Sequence, residues 1–111
     1  PVEQLTKEYG TPLYVYDASV IERQVLQLQS AFSGLKVRLK YASKALTNLT
    51  ILKLIKQLGC EVDAVSHEEI QIARKAGFTP NEILFTPNSI HFSEVQQATD
   101  MGVLVNIDNL Y

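Results

Sequence analysis

Apolar positions along the chain alternate between two periods. Leu5 and Tyr9 stand four apart and predict one or two helical turns ended by Gly10. Thr11-Pro12 then forces an extended path, and Leu13-Tyr14-Val15-Tyr16 is β-branched and aromatic, the composition of a strand. Ile21, Val25, Leu28 and Phe32 form one helical stripe. Ser19-Val20-Ile21-Glu22 has capping-box spacing, so Asp17 or Ser19 is the N-cap, and Gly34 fits the left-handed stop. Residues 36–42 switch to strand period, with Val37, Leu39 and Tyr41 on one side and Arg38, Lys40 and Ala42 on the other. Thr47 or Asn48 caps the next helix, whose stripe is Ile51, Ile55 and Leu58 and whose stop is Gly59.

The alternation then repeats. Residues 61–65 read as a strand, and Ser66-His67-Glu68-Glu69 is a second capping box. It opens a helix with Ile70, Ala73 and Ala76 inward and Gly77 at its end. Thr79-Pro80-Asn81 is a turn, Ile83-Leu84-Phe85 a short buried strand and Pro87-Asn88 a loop. Ser93-Glu94-Val95-Gln96 is a third capping box, for a helix closed by Gly102. Residues 103–107 are a continuous apolar strand, and Asp108-Asn109 starts another loop.

Alternating strands and helices with apolar strands imply an α/β fold, a parallel sheet with helices outside. A (β/α)8 TIM barrel needs eight such units in about 250 residues. Four barrel-type strands are present here, so the pattern predicts a partial barrel of about the first four βα units, although an open sheet would look alike at this length. The sequence stops just after a strand, without a covering helix, which is the expectation for the N-terminal part of a larger protein. A half barrel exposes strand edges, so a chain ending at residue 111 is expected to aggregate or associate.

Composition narrows the function classes. Hydrophobic residues make up 46% and charged residues 20% of the 111, which describes a globular chain. A net charge of −2 offers no field for nucleic acid or an acidic membrane surface. A single cysteine, Cys60, excludes an internal disulfide and fits a reducing compartment. No apolar run approaches the roughly 20 residues of a membrane span, and there is no signal-peptide pattern, so the expected location is cytoplasmic.

The candidate chemistry centres on Tyr41-Ala42-Ser43-Lys44-Ala45. A lysine at the C-terminal end of a strand stands where a β/α barrel presents its catalytic groups. Lys40 shares its parity and is a candidate cation to tune it. Asp63, late in the next strand, either reaches toward Lys44 or faces solvent. Ser66 reads first as a helix cap, His67 as an exposed residue beside it, and His91 as surface. Tyr41, of opposite parity, belongs to the core, Cys60 reads as a buried small hydrophobe, and Asn88 sits in a strand-end loop that can line a site mouth. No metal-ligand spacing, Ser-His-Asp set or Gly-rich nucleotide fingerprint occurs.

The five-residue stretch resembles the signature Tyr-Ala-x-Lys-Ala-Asn of the pyridoxal phosphate-dependent decarboxylases with the alanine racemase-like fold, fold type III. Gly10-Thr11-Pro12-Leu13-Tyr14-Val15-Tyr16-Asp17 resembles the N-terminal signature of the diaminopimelate decarboxylase family within that group. Leu58-Gly59-Cys60-Glu61-Val62-Asp63-Ala64-Val65-Ser66 with Glu69-Ile70 resembles that family's second barrel strand and following helix, and Ile83-Leu84-Phe85 with Asn88, then Asn106-Ile107-Asp108, resemble its third and fourth strands. Leu46 stands where the signature has asparagine, and His67 where glycine is common. Thr86-Pro87-Asn88-Ser89-Ile90 follows an Asn-Gly-Asn-x-Lys pattern only loosely.

The resemblance implies pyridoxal 5′-phosphate as cofactor, held by Lys44 as a Schiff base, with Asp63, Ser66, His67 and Asn88 in its surroundings. It implies release of CO₂ from meso-diaminopimelate to give L-lysine. Ornithine, arginine or carboxynorspermidine are the alternative substrates, and a non-catalytic pyridoxal phosphate-binding protein is the alternative class. It further implies a homodimer with shared active sites, residues 1–17 packing with a C-terminal β-domain, and residues 18–111 as half of the barrel. The phosphate cradle, the acidic partner of the pyridine nitrogen and the substrate-carboxylate groups are not identifiable in this stretch, so the chain alone is expected to be inactive.

Overall fold

The computed structural model describes residues 1–108. Helix α1 (Val2–Tyr9) precedes α2 (Ala18–Ala31), and three βα units and a fourth strand follow. They are β1 (Lys40–Ala42) with a 3-10 turn (Ser43–Ala45) and α3 (Leu49–Gln57), β2 (Glu61–Ala64) with α4 (His67–Ala76), β3 (Ile83–Phe85) with α5 (Phe92–Asp100), and β4 (Leu104–Val105). The strands lie in sequential order, β1-β2-β3-β4, and every pairing is parallel. Each crossover therefore steps to the next position, as in a barrel wall, with none of the order reversals of a doubly wound sheet.

The register separates two faces. Tyr41, Val62 and Ile83 are aligned across β1, β2 and β3, and Ala64 is aligned with Phe85. This face packs against α3 and α4 through Leu52, Ile55, Ile70, Ala73 and Phe78, all buried. Each fully buried Leu, Ile or Phe contributes about 1.5–3 kcal/mol, so the α3–α4 layer and the strands beneath it hold the fold. The other face carries Lys40, Ala42, Glu61, Asp63, Leu84 and Leu104, none of them buried.

Local signals account for most boundaries. Asp17 caps α2 by accepting from Ser19 N, and Asn48 caps α3 by accepting from Thr50 N and Ile51 N. Gly77 ends α4 at φ 100°, a left-handed position that a side chain would strain.

Six expectations are corrected. Residues 13–16 form no strand, and their side chains are exposed: strand propensity without an edge to pair with does not make a ladder. β1 spans Lys40–Ala42 and not 36–42, because β2 begins only at Glu61 and offers no earlier partner beyond the Glu61 N–H donated to Leu39 O. β4 is two residues long for the same reason, opposite a three-residue β3. In α3 the buried positions are Leu52 and Ile55, while Ile51 and Leu58 are half-buried. The N-cap of α5 is His91 and not Ser93, since Glu94 sits three residues past His91 and accepts its N–H at 3.3 Å. The stripe of α2 is used by half: Ile21 and Val25 pack on the core, whereas Leu28 and Phe32 stay exposed. The loop expected at Asp108-Asn109 lies partly outside the described residues.

Candidate active site

The C-terminal ends of the four strands converge on one cavity of about 310 Å³. Lys44 comes from the turn after β1, Asp63 from the inner face of β2, Thr86 and Asn88 from the loop after β3, and Asn106 and Asp108 from beyond β4. Val65 and Pro87 add apolar wall. The volume lies at the lower end of the range of about 300–1,000 Å³ for small-molecule sites.

The strand geometry does not run as far as Lys44. The chain turns into a 3-10 helix at Ser43, and this turn, not strand parity, aims the lysine at the cavity. Lys44 is exposed and makes no ion pair with the described residues. The proposed cation partner fails on position: Lys40 stands at the opposite end of β1 and is paired with Glu61.

Asp63 is fixed at the cavity wall by Thr86, whose hydroxyl donates to its Oδ1 at 2.6 Å. The strand ends are laced by backbone bonds as well. Thr86 N donates to Ala64 O, and Asn106 N donates to Phe85 O, both at 2.8 Å. Beside Asn88, Ser89 adopts φ 54°, a left-handed turn uncommon for a residue with a side chain.

Three of the five expected site residues, Lys44, Asp63 and Asn88, therefore meet at one cavity. Ser66 and His67 do not line it. Ser66 caps α4 by accepting from Glu69 N at 3.2 Å. His67 is half-buried at the first position of α4, not exposed, and its Nδ1 is buried without a hydrogen-bond partner among the described residues. His91 is exposed as expected, and Cys60 is buried, with its thiol pushed up by that burial. Tyr41 is half-buried on the helix side and donates its hydroxyl to Leu46 O at 3.1 Å. Burial, then the neighbouring Tyr16, pushes its phenol up.

Sequence reasoning missed Thr86 and gave no role to Asn106 or Asp108. Thr86 and Asn106 follow directly after short strands and Asp108 lies three residues past β4, and the strand-end rule that singled out Lys44 finds them once strand boundaries are known. Among the described residues no group of side chains is arranged to hold a metal ion, and no helix is long and apolar enough to cross a membrane.

The cavity chemistry fits a phosphorylated aldehyde cofactor in part. A primary amine opens onto it beside a fixed carboxylate, and Asn88 and Asn106 add amides.

Comparison with known proteins gives the same reading. Residues 18–111 match the family model described as pyridoxal-dependent decarboxylase, pyridoxal binding domain. The diaminopimelate decarboxylase of Methanothermobacter thermautotrophicus is 44% identical over 108 residues, covering 96% of this chain and 25% of that protein. That of Bacillus subtilis is 37% identical over 111 residues, again covering 96% of this chain and 25% of the relative. Among solved structures, diaminopimelate decarboxylase from Helicobacter pylori complexed with L-lysine superposes with a TM-score of 0.89 at 37% identity, over 98% of this chain and 28% of that one. The chain thus spans about a quarter of the length of the curated relatives it matches. The four-stranded parallel sheet is the corresponding part of their barrel. On the match over residues 18–111, the chain belongs to the pyridoxal-dependent decarboxylases, in their pyridoxal-binding domain.

Proposed function

We propose that the complete protein is a pyridoxal phosphate-dependent decarboxylase acting on meso-diaminopimelate to give L-lysine and CO₂. The observation that carries this reading is Lys44, delivered by the turn after β1 to the cavity at the strand ends. Its Nζ would hold the cofactor aldehyde covalently. Bound pyridoxal phosphate supplies an electron sink for a broken Cα bond. Asp63, held by Thr86, places a fixed negative charge on the wall that Lys44 faces. Asn88 and Asn106 offer amide donors and acceptors to orient a polar ligand. On this reading Ser66 and His67, at the start of α4, belong to the surroundings of the cofactor.

The substrate assignment is supported by relatives named diaminopimelate decarboxylase at 33–44% identity. A lysine/ornithine decarboxylase from Vibrio vulnificus shares the fold at 24% identity, which speaks to architecture and not to substrate. The same reading has residues 18–111 as half of a TIM barrel, residues 1–17 against a β-domain, a homodimer and a cytoplasmic location.

Borohydride reduction of the complete protein with its cofactor, followed by peptide mapping, should place the label on Lys44. Release of CO₂ should be fastest from meso-diaminopimelate in a panel with ornithine, arginine and carboxynorspermidine. A label on another lysine rejects the site, and a different preferred substrate rejects the specificity.

A further inference from the structure

Ser43 is the one wholly buried polar side chain among the described residues, and it directly precedes Lys44. Its Oγ lies 2.6 Å from Glu69 Oε2 and 2.9 Å from the carbonyl oxygen of Asp63, with one hydroxyl proton facing both acceptors. The same Glu69 oxygen accepts the Val65 N–H at 2.9 Å. Glu69 thus ties the turn after β1 to the loop after β2. On the far side of the turn, the Tyr41 hydroxyl is bonded to Leu46 O.

This use of Glu69 departs from its local role. In the capping box at Ser66, a glutamate at this position returns its side chain to the N–H of the cap residue. Here Ser66 does its half, accepting from Glu69 N, but the Glu69 carboxylate goes to Val65 N and Ser43. A charged acceptor has been diverted from its own helix to a three-residue turn. That turn is closed by Leu46 N donating to Ser43 O at 3.0 Å, and short 3-10 segments are poorly held by such backbone bonds alone. A hydrogen bond to a carboxylate is among the stronger ones available, and this one is shielded from water at the serine.

We propose that Ser43 and Glu69 are positioning residues that lock the 43–45 turn and so aim Lys44 Nζ into the cavity. The inference rests on the reading of Lys44 as the cofactor lysine. Neither residue lines the cavity, so both act through the turn.

The test uses the complete protein stripped of cofactor, then mixed with pyridoxal phosphate, with the rate of attachment at Lys44 followed by borohydride trapping and peptide mapping. Each variant is measured well below its own melting midpoint, so that the folded fraction is the same. Ser43→Ala and Glu69→Ala should each slow trapping by roughly tenfold, the scale of a small misplacement of a reacting group. The double variant should be no slower than the slower single one, because both remove one link. Glu69→Gln keeps an acceptor oxygen and should stay within about threefold of the parent. Parent-like rates in Ser43→Ala overturn the proposal. So does a Glu69→Gln as slow as Glu69→Ala, which would mean that the charge acts on the site directly. If the parent itself is labelled at another lysine, the cofactor reading fails instead, and the two failures are told apart.

Discussion

At the end of the sheet where the strands begin, charges are matched in pairs. Glu61 receives both Lys40 and Arg38, the latter at 3.1 Å, and Glu82, just before β3, receives Lys56 at 2.8 Å. These are the ion pairs among the described residues. At the end where the strands finish, Lys44, Asp63 and Asp108 line one cavity, yet no ion pair joins them. Two lysines only four positions apart on and after β1 therefore do opposite things. Lys40 is consumed by a carboxylate of the protein, and Lys44 stands at the cavity without an ion pair among the described residues. In β/α architectures the first end maintains the fold and the second carries chemistry, and the distribution of paired and unpaired charge shows that division within a single strand.

The sharpest way to break the comparison is to exchange the consequences of the two lysines. Lys44→Ala in the complete protein should lower decarboxylation by at least about 10³-fold, as loss of a covalently acting residue does. Its unfolding free energy should stay within about 0.5 kcal/mol of the parent, since the side chain is exposed and unpaired. Lys40→Met should do the reverse. It leaves Glu61, 14% exposed at its side chain, with only the more exposed Arg38 as partner. The expected cost is about 1–3 kcal/mol, below that of a fully buried pair because Arg38 and solvent remain. Activity per folded molecule should hardly change. Chemical denaturation and kcat measured on both variants check the pair. If Lys40→Met lost activity without losing stability, the separation of the two ends would be wrong.

The same contrast explains what the sequence disclosed. Helices α2 to α4 were legible because their caps and apolar stripes are local: Asp17, Asn48 and Ser66 each bond within three residues. Strand lengths were not, because a strand exists only where a neighbour offers a register, and residues 13–16 and 36–39 have none. Lys44 was legible from its place after a strand, whereas its real setting, a 3-10 turn braced by Ser43, Glu69 and Tyr41, depends on contacts five to twenty-six residues away. Reading Ser66 to Glu69 as a capping box was half right. In the fold the glutamate directs its carboxylate to Ser43 and Val65 N instead of the cap N–H. Lys40 misled because parity along a strand fixes the face but not the end.

The smallest expected effect is a pH dependence at the paired end. Lys56 Nζ, then the Thr79 backbone N–H and hydroxyl, hold the Glu82 carboxyl down at about 2. A carboxylate held below its unfolded value of about 4.3 stabilises the fold above that value, and the contribution is lost as pH falls through the folded value. Both side chains of the pair are about one third exposed, 31% and 32%, so solvent and salt screen much of the effect. Glu82→Gln should therefore melt slightly below the parent from pH 7 down to about 4.5. That gap should shrink between about pH 4.5 and 2, and close below that. Added salt should narrow it at neutral pH, although the cation–π contact of Lys56 with Phe78, at 5.1 Å, remains in both proteins. Melting curves across this range check it: no gap even at neutral pH would mean that the Thr79 bonds, which an amide also accepts, and not the charge on Glu82, hold this end of the sheet.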